Sequence, residues 1–386
     1  MRFSPRKFDG YRRRLVHEWR IWRSRQDESR RQRRFDHWIE SLCASPPDVF
    51  LGPDLPYGGV RGHVRAIAKY SGLKVQLVPD ERALGGLDQF TMAQLERFLE
   101  FDPPGTPVVH SHVVPWFIRW CQRQQKRGSL WVHTYHLPYF PEHAKDGILQ
   151  PDQIEINDCL IHEARHADLR ISVSRWQQEW LLREHGIESI YLPNGVDIEA
   201  CDNGNAKRFR AKHRINGPFI LWVGRNDPVK NPRDFVRLAQ AMPEMLFVMI
   251  GGGLSKVILR EEWQVDAPSN LVIPGALSHL EVQDAISACS VLVVTSKREG
   301  LPTLVLEGMV RQKPVVVPDE AGCVEAIGNG DFGTIYRQGQ IDELAVKVEG
   351  IASDSAIGTL ARKRVLEKYD WRAIAPKLDS IYRRLS

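Results

Sequence analysis

Short apolar segments that alternate with helical stretches constrain the fold of this chain more than any other feature. Each is four to six residues long and bounded by polar or turn-forming residues, as is typical of strands buried on both faces of a parallel sheet. Two βα series of similar size predict two doubly wound, Rossmann-like α/β domains that face each other across a cleft. The segments begin at residues 48, 74, 107, 130, 169 and 189 in the first series, and at 219, 245, 270, 291, 314 and 333 in the second.

Length and cysteine usage narrow the class of protein. With 386 residues the chain is long enough for two average domains. It has no apolar run long enough to span a bilayer, and its charged N-terminus does not read as a secretory signal. Its six cysteines are scattered and form no CxxC pair. We therefore expect a reduced, cytoplasmic setting and no structural zinc site.

Basic charge is concentrated at the start of the chain. Residues 1–40 contain 13 Lys or Arg and 6 Asp or Glu, a balance of +7. Because the formal net charge of the whole chain is +5, residues 41–386 sum to −2. A nearly neutral body argues against a broad nucleic-acid-binding surface, so no nucleic-acid partner is expected.

The basic segment, residues 1–43, also carries apolar side chains at helical spacing. We predict a basic amphipathic helical extension there, followed by a first domain over 44–202 and a second over 203–370. The last helix, 371–386, is expected to return to the first domain. The extension could lie on an anionic membrane surface, pack on its own domain or pack on a second subunit. Its apolar positions are Phe8, Tyr11, Leu15, Trp19, Trp22, Phe35, Trp38, Ile39 and Leu42.

Two carboxylates eight residues apart flank a predicted strand-to-helix turn in the second series. Glu299 follows the strand 291–296, and Glu307 lies about one turn into the helix 303–312. Ligands of open α/β sheets bind at this edge, and a helix N-terminus offers unpaired N–H groups that suit a phosphate. Glu307 can accept hydrogen bonds from ribose hydroxyls, and Glu299 can reach a sugar attached to the phosphate. The pair therefore predicts a nucleotide-sugar site.

Two cations follow the first strand of the second series. Arg225 and Lys230 lie on one loop at the same predicted sheet edge, where they can neutralise a diphosphate as its charge grows. Taken alone they are better explained as solvated loop cations, and only together with Glu299 and Glu307 at the same sheet edge do they favour a binding site. The chain contains no DxD triplet, which favours these side chains over a metal ion. No metal and no cofactor is therefore expected.

Glycines and histidines mark the corresponding edge of the first domain. Gly58 and Gly59 follow its first strand, and adjacent glycines let the backbone approach a phosphate or sugar closely. His136 falls just past the fourth strand, where it can face the cleft, whereas His133 lies inside that strand and is predicted to be a core residue. His112 ends the third strand and can line an acceptor side. No carboxylate or cysteine accompanies these histidines at zinc-ligand spacing, which disfavours a metal.

The motif Pro193–Asp197 lies between the two series. Its Asn194-Gly195 pair is typical of a tight turn. Contact with a ligand is the alternative, and the sequence leaves both open.

Together, in this order and spacing, the motifs resemble glycosyltransferase family 4, retaining enzymes of the GT-B fold. The resemblance extends from about Val49 to Tyr336, most of the chain. Gly308 departs from the family, which commonly has Ala there. The resemblance is carried by the Gly-Gly-Val turn, His136, Pro193–Asp197, the Gly-Arg…Lys loop, Gly251-Gly252-Gly253 and the E-x7-E pair Glu299 and Glu307.

The resemblance implies roles in catalysis for four residues. Arg225 and Lys230 would bind the donor diphosphate. Glu299 would contact the donor sugar and His136 would line the reaction centre, both acting by positioning and electrostatics. In this family the leaving phosphate is thought to help deprotonate the acceptor, so no residue is assigned as a general base.

The resemblance also implies the remaining contacts. Glu307 would hold the ribose, the base would lie near the segment Ile273–Gly275, and the first domain would choose the acceptor. The further donor-binding residues are Gly59, Ile273, Gly275, Leu304 and Val305, the last two through their amides, and the acceptor-side residues are Tyr57 and His112.

The function expected from the resemblance is transfer of a sugar from a nucleoside-diphosphate sugar to a hydroxyl of a glycan or lipid-linked glycan. The expected location is the cytoplasm, peripherally on the inner face of the cell membrane. Two alternatives remain open. One is a GT-B sugar-nucleotide epimerase, and the other is a non-catalytic GT-B scaffold that acts through its N-terminal helices.

Overall fold

The computed structural model describes residues 27–55, 58–144, 147–351 and 356–385. Every strand predicted above is present, within a few residues at each end. The first domain contains β1 (Val49–Gly52), β2 (Val75–Leu77), β3 (Val108–Ser111), β4 (Trp131–Tyr135), β5 (Leu169–Ser172) and β6 (Ile190–Tyr191). The second contains β7 (Phe219–Val223), β8 (Leu246–Ile250), β9 (Leu271–Gly275), β10 (Val291–Val293), β11 (Val315–Pro318) and β12 (Thr334–Tyr336).

Helices cover both faces of the two sheets, and no helix among the described residues is long and apolar enough to cross a membrane. In the first domain they are α1 (27–44), α2 (Gly59–Tyr70), α3 (Glu81–Leu84), α4 (Met92–Glu100), α5 (Pro115–Gln125), α6 (Pro151–Asp158) and α7 (Arg175–His185). They continue as α8 (Ile198–Asp202), α9 (Ala206–His213), α10 (Pro232–Ala241), α11 (Lys256–Glu261), α12 (His279–Ala288), α13 (Thr303–Val310), α14 (Ala321–Ala326), α15 (Ile341–Ile351), α16 (Ala356–Lys368) and α17 (Trp371–Leu385). Short 3-10 turns occur at Leu87–Gln89, Pro141–His143, Ala164–His166 and Gly328–Gly330, and a π-helical segment at Cys159–Glu163.

The strand orders confirm two doubly wound domains. The first sheet runs β2-β1-β3-β4-β5-β6 and the second β12-β11-β10-β7-β8-β9, with all pairs parallel. Each order reverses direction once, between β1 and β3 in the first sheet and between β7 and β10 in the second. Loops leave the carboxyl ends of the two flanking strands in opposite directions there, which opens a crevice for a ligand.

Helix α1, the second half of the predicted basic extension, packs on the first domain. Phe35, Trp38 and Leu42 are at most 3% exposed and belong to the same apolar cluster as Phe50 and Phe98. The indole of Trp38 stacks on the Phe98 ring with centroids 5.7 Å apart. For this half of the basic segment the apolar stripe therefore packs on its own domain. The other half, with Phe8 to Trp22, lies outside the described residues.

The last helix crosses from the second domain to the first. The chain leaves the first domain beside Val196, which pairs with Asp370 just before α17. Trp371, Ile374 and Leu378 of α17 then pack in one cluster with residues of β1 and α2. Both chain crossings thus lie side by side at the domain junction.

Candidate functional site

The switch point of the second sheet brings two predicted residues into direct contact. Lys230 lies on the loop after β7 and Glu299 on the loop after β10, and these strands are neighbours. The Lys230 ammonium donates a hydrogen bond to Glu299 Oε1 at 2.5 Å. Thr295 fixes the lysine loop, because its hydroxyl lies within hydrogen-bond distance of the carbonyls of Lys230 and Asn231.

Arg225 is the second cation of this loop and remains accessible. Its side chain is 59% exposed, and its Nη2 lies 3.3 Å from Asp227 Oδ2. The loop stays close to β8, because Gly224 N–H donates to Ile250 O and Asn226 N–H donates to Gly252 O. Lys230 and Arg225 thus lie at the carboxyl edge of the sheet, on a loop that backbone hydrogen bonds hold against the end of β8.

Glu307 lies half-buried in α13, the helix that follows the Glu299 loop. Its Oε2 accepts a hydrogen bond from Gln283 Nε2 at 2.6 Å, and its Oε1 is 3.8 Å from His279 Nε2. This carboxylate raises the pKa of His279 above its usual value, more than the opposing effect of burial. One oxygen of Glu307 is therefore held by Gln283, whereas the other is free of a short hydrogen bond to a described residue.

The remaining donor-side residues lie at the ends of β9 and α13. Gly275, with φ of +81°, ends β9 and has open space where a side chain would stand, and Ile273 is half-buried in the same strand. No side chain caps the N-terminus of α13. The two predicted amides there differ, since Val305 N–H donates to Pro302 O at 3.1 Å. Leu304 is thus the better placed of the pair.

The first domain places a cluster of histidines at its own switch point. His112 follows β3, His136 follows β4 and His63 lies in α2. His112 Nδ1 is 3.1 Å from His136 Nε2, and His63 Nδ1 is 2.9 Å from Asn194 Oδ1. As predicted, His133 is a core residue: it is fully buried, and its Nδ1 lies within hydrogen-bond distance of the Ser111 hydroxyl.

Burial keeps these histidines neutral. It lowers the pKa of His63 to about 4 and those of His112 and His136 well below their usual value. One ring nitrogen from each lies within 4.8 Å of the others. Neutral imidazoles at this spacing could ligate a metal ion, or they could bind sugar hydroxyls as donors and acceptors. The expectation of a metal-free enzyme stays a prediction.

The first domain also holds the Glu299 loop itself. Trp176 Nε1 donates to Gly300 O at 2.8 Å, and Asn194 Nδ2 donates to Leu301 O at 3.1 Å. The Arg298 guanidinium stacks on the Phe140 ring, 4.3 Å from its centroid. The domains therefore contact each other through the residues on both sides of Glu299.

Asn194 has a structural role that the sequence left open. Because its amide nitrogen donates to Leu301 O, its Oδ1 faces His63 and accepts the His63 Nδ1 proton. This fixes the His63 tautomer with a lone pair on Nε2. The motif is therefore more than a turn, since it joins the histidine cluster to the Glu299 loop.

The glycine turn of the first domain is only partly described. Gly58 precedes α2 with φ of +97°, and Gly59 begins the helix with open space around its Cα. Residues 56–57, and with them the predicted acceptor-side Tyr57, lie outside the described residues. Gly59 leaves room for a ligand at the switch point between β1 and β3.

Three residues near the site carried no sequence signal. His63 is a single histidine in a helix, and it meets Asn194 across 131 positions. Glu320 is buried beside the Glu299 loop, and burial raises its pKa to about 7. Glu325 accepts the N–H groups of Arg175 and Trp176 at the start of α7, at 2.8 and 3.0 Å. Their contacts join positions far apart in the chain or depend on burial, so only the three-dimensional structure reveals them.

Comparisons with known proteins agree with this architecture. The model "Glycosyltransferase Family 4" matches residues 27–200, and the model "Glycosyl transferases group 1" matches residues 205–370. Between them they match both domains. The chain therefore belongs to the glycosyltransferases of the family 4 type with the GT-B fold, as the sequence predicted.

Individual relatives match this chain over only part of its length. The chain is 31% identical over 262 residues to the sulfoquinovosyl transferase SQD2 of Arabidopsis thaliana, covering 64% of this chain and 49% of that protein. It is 28% identical over 163 residues to a processive diacylglycerol alpha-glucosyltransferase of Acholeplasma laidlawii, covering 40% and 48%. The matches thus span about half the length of these relatives.

A solved structure extends the likeness to the whole fold. The chain superposes on Anabaena HepE, solved in complex with UDP and glucose, with a TM-score of 0.69 and 18% identity. The match covers 87% of this chain and 99% of that one. At this identity the likeness establishes the arrangement of the two domains and nothing finer.

Proposed function

We propose that the protein is a retaining glycosyltransferase that moves a sugar from a nucleoside-diphosphate sugar to a hydroxyl group. The observation that carries the proposal is the Lys230–Glu299 contact at the switch point of the second sheet, with the exposed Arg225 on the same loop. An anionic ligand bound there would pair with the Lys230 ammonium and so break its hydrogen bond to Glu299. The freed carboxylate would then accept hydrogen bonds from the donor sugar.

The transfer would proceed on one face of the donor sugar. The bond between the anomeric carbon and the phosphate oxygen breaks, and its electron pair leaves with the diphosphate. Arg225 and Lys230 neutralise the charge that grows there. The acceptor hydroxyl attacks from the side of the leaving group and passes its proton to a phosphate oxygen, which preserves the anomeric configuration. Glu299 and the neutral His136 orient the sugar.

The binding of the donor is assigned to the second domain. Glu307 would hold the ribose through its Oε1, which makes no short hydrogen bond to a described residue, and the base would lie beside Ile273 and Gly275. The Leu304 amide at the uncapped start of α13 would bind a phosphate oxygen. We propose that this requires no metal ion, since Arg225, Lys230 and the N-terminus of α13 would supply the positive charge that a diphosphate needs.

The acceptor is proposed to be a hydroxyl of a glycan or of a lipid-linked glycan. One relative is named for a diacylglycerol acceptor, and the basic N-terminal segment suits an anionic membrane surface. His112 would lie on the acceptor side in the first domain, and Tyr57 is assigned to that side from the sequence alone. A peripheral position at the inner face of the membrane follows from the same reasoning.

A thermal-shift panel tests the donor site first. UDP, GDP, ADP and their common sugar conjugates are added to the full chain with a chelator present. We expect one nucleotide series to raise the melting temperature, because a ligand that binds only the folded state stabilises it. No shift from any nucleotide would contradict the proposal and favour a non-catalytic scaffold.

The product of the reaction separates the remaining alternatives. With the stabilising donor and a mixed panel of glycan and glycolipid acceptors, we expect a new glycosidic bond whose anomeric configuration, measured by NMR, is that of the donor. A free monosaccharide formed without acceptor would instead identify an epimerase. A product of inverted configuration would contradict the retaining mechanism.

A further inference from the structure

One face of helix α1 carries cations that the transfer chemistry does not use. Arg30, Arg33, Arg34, His37 and Ser41 are exposed and follow one another at spacings of one, three or four residues, so they share a helix face. They line a hollow of about 530 Å³ between α1 and α3. We call it the arginine hollow, and its lining residues are Arg30, Arg33, Arg34, His37, Trp38, Ser41 and Ala83.

The charges of the arginine hollow are of one sign. None of its lining residues is a carboxylate. Arg30 and Arg33 take part in no ion pair with a described residue, although their neighbour Arg31 approaches Glu28 at 3.9 Å. Unpaired guanidinium groups in a concave surface attract an anion, and their planar forks suit the oxygens of a phosphate.

A buried donor supports this assignment independently of the charge. Trp38 lines the hollow while its ring packs in the domain core, and it is only 2% exposed. Its Nε1–H is buried and has no hydrogen-bond acceptor among the described residues. A buried N–H without an acceptor is destabilising, and an indole can only donate. An oxyanion in the hollow that reached this N–H would supply the missing acceptor.

The hollow also has a fixed wall. The Arg34 Nη1 donates to Leu84 O at 3.2 Å, at the end of α3. Gly85, with φ of +80°, allows this approach, because a Cβ there would collide with the Arg34 guanidinium. One of the three arginines is thus positioned by the backbone, whereas Arg30 and Arg33 stay available to a ligand.

We propose that the arginine hollow binds a phosphate group, either the phosphodiester of an anionic lipid headgroup or a soluble phosphate ester. This deepens the proposed membrane contact, and it is independent of the transfer chemistry in the second domain. The preceding residues 1–26 contain nine Lys or Arg against two Asp or Glu. Their charge favours the same class of ligand and makes them poor occupants of the hollow themselves.

The test compares the full chain with the double variant Arg30→Gln/Arg33→Gln. Binding is measured to phosphatidylglycerol vesicles, to phosphatidylcholine vesicles and to glycerol 3-phosphate in solution. We expect the variant to bind its ligand about 30-fold more weakly, since each arginine near an anionic surface contributes about 1 kcal/mol. Trp38→Phe keeps an aromatic ring in the core and removes the N–H, and it should weaken binding in the same assay.

The matched control Arg260→Gln/Arg337→Gln removes two exposed charges from the second domain and should bind as the wild type does. If Arg30→Gln/Arg33→Gln loses binding to phosphatidylglycerol vesicles, the phosphate group comes from a lipid. If the wild type binds only glycerol 3-phosphate, and saturably, the phosphate group comes from a soluble ester. Equal binding by the wild type and Arg30→Gln/Arg33→Gln, or no binding of either ligand, overturns the proposal. The nucleotide thermal shift is measured in parallel, so that a failure here stays distinct from a failure of the donor site.

Discussion

Glu307 shows how one carboxylate can be both anchored and available. Its Oε2 accepts from Gln283, whereas Oε1 is 3.8 Å from the nearest described cation, His279. The sequence predicted the position of Glu307, because a strand-to-helix turn with a carboxylate one turn later is a local pattern. It gave no sign of Gln283, which approaches from α12, 24 positions away.

We predict that Glu307→Ala weakens nucleotide binding by about ten- to a hundredfold, since hydrogen bonds to charged groups contribute about 1.5–3 kcal/mol. Titration of the stabilising nucleotide into wild type and variant measures this. Glu349→Ala, on the exposed face of α15, is the matched control. Unchanged affinity of Glu307→Ala would refute the ribose assignment.

Glu320 gives the folded state a pH dependence. Burial raises its pKa from 4.5 to about 7, against the opposing hydrogen bond from Cys323 N–H at the start of α14. A carboxyl with a raised pKa in the folded state stabilises the fold fully below pH 4.5, and this contribution is lost as the pH rises to about 7. The expected loss is about 3 kcal/mol.

Glu320→Gln should remove this dependence, because the amide keeps an acceptor for Cys323 N–H and never ionises. Free energies of unfolding measured between pH 4.5 and 8 test it, with the wild type falling more steeply than the variant over that range. Parallel curves for the two proteins would show that Glu320 does not titrate there.

At the scale of elements, the strands were predictable and the partner of α1 was not. Buried parallel strands are continuous apolar runs, so composition alone indicates them. The helical stripe of α1 predicts an apolar face, yet the period carries no information about what covers that face. In the structure, the core of the first domain covers that face, because Phe35 and Trp38 pack there. The basic, exposed face of α1 forms one wall of the arginine hollow.

Two truncations distinguish the halves of the basic segment. Removing residues 1–26 should reduce association with anionic vesicles and leave the nucleotide thermal shift unchanged. Removing residues 1–43 should instead abolish cooperative unfolding, because losing one buried aromatic side chain alone costs about 3–5 kcal/mol and this deletion removes Phe35, Trp38 and Leu42. A folded, nucleotide-binding product of the longer truncation would contradict the assignment of α1 to the core.

At the scale of the whole molecule, the site is divided between two sheets that are joined at the Glu299 loop. The E-x7-E pair and the two cations were predictable because each lies on the loop or the helix that follows a strand. The contacts of the first domain with Gly300 and Leu301 were not, since they depend on how two separately folded domains meet. A second contact, that of Glu325 with the N-terminus of α7, lies on the same interface.

Glu325 therefore tests whether this interface matters for transfer separately from donor binding. All proposed donor contacts except Gly59 lie in the second domain, whereas His136 and the acceptor side lie in the first. Glu325→Ala leaves the N–H groups of Arg175 and Trp176 without their charged acceptor and should loosen the interface. We expect kcat to fall about tenfold while nucleotide affinity changes less than about twofold, because the interface positions the first-domain residues against the donor sugar and contributes little to donor binding. Steady-state kinetics and nucleotide titration, with Glu349→Ala as the control, measure the two quantities.

A parallel loss of kcat and nucleotide affinity would show that Glu325 supports the donor site itself. An unchanged kcat would show that the contact of Glu325 with α7 does not limit transfer.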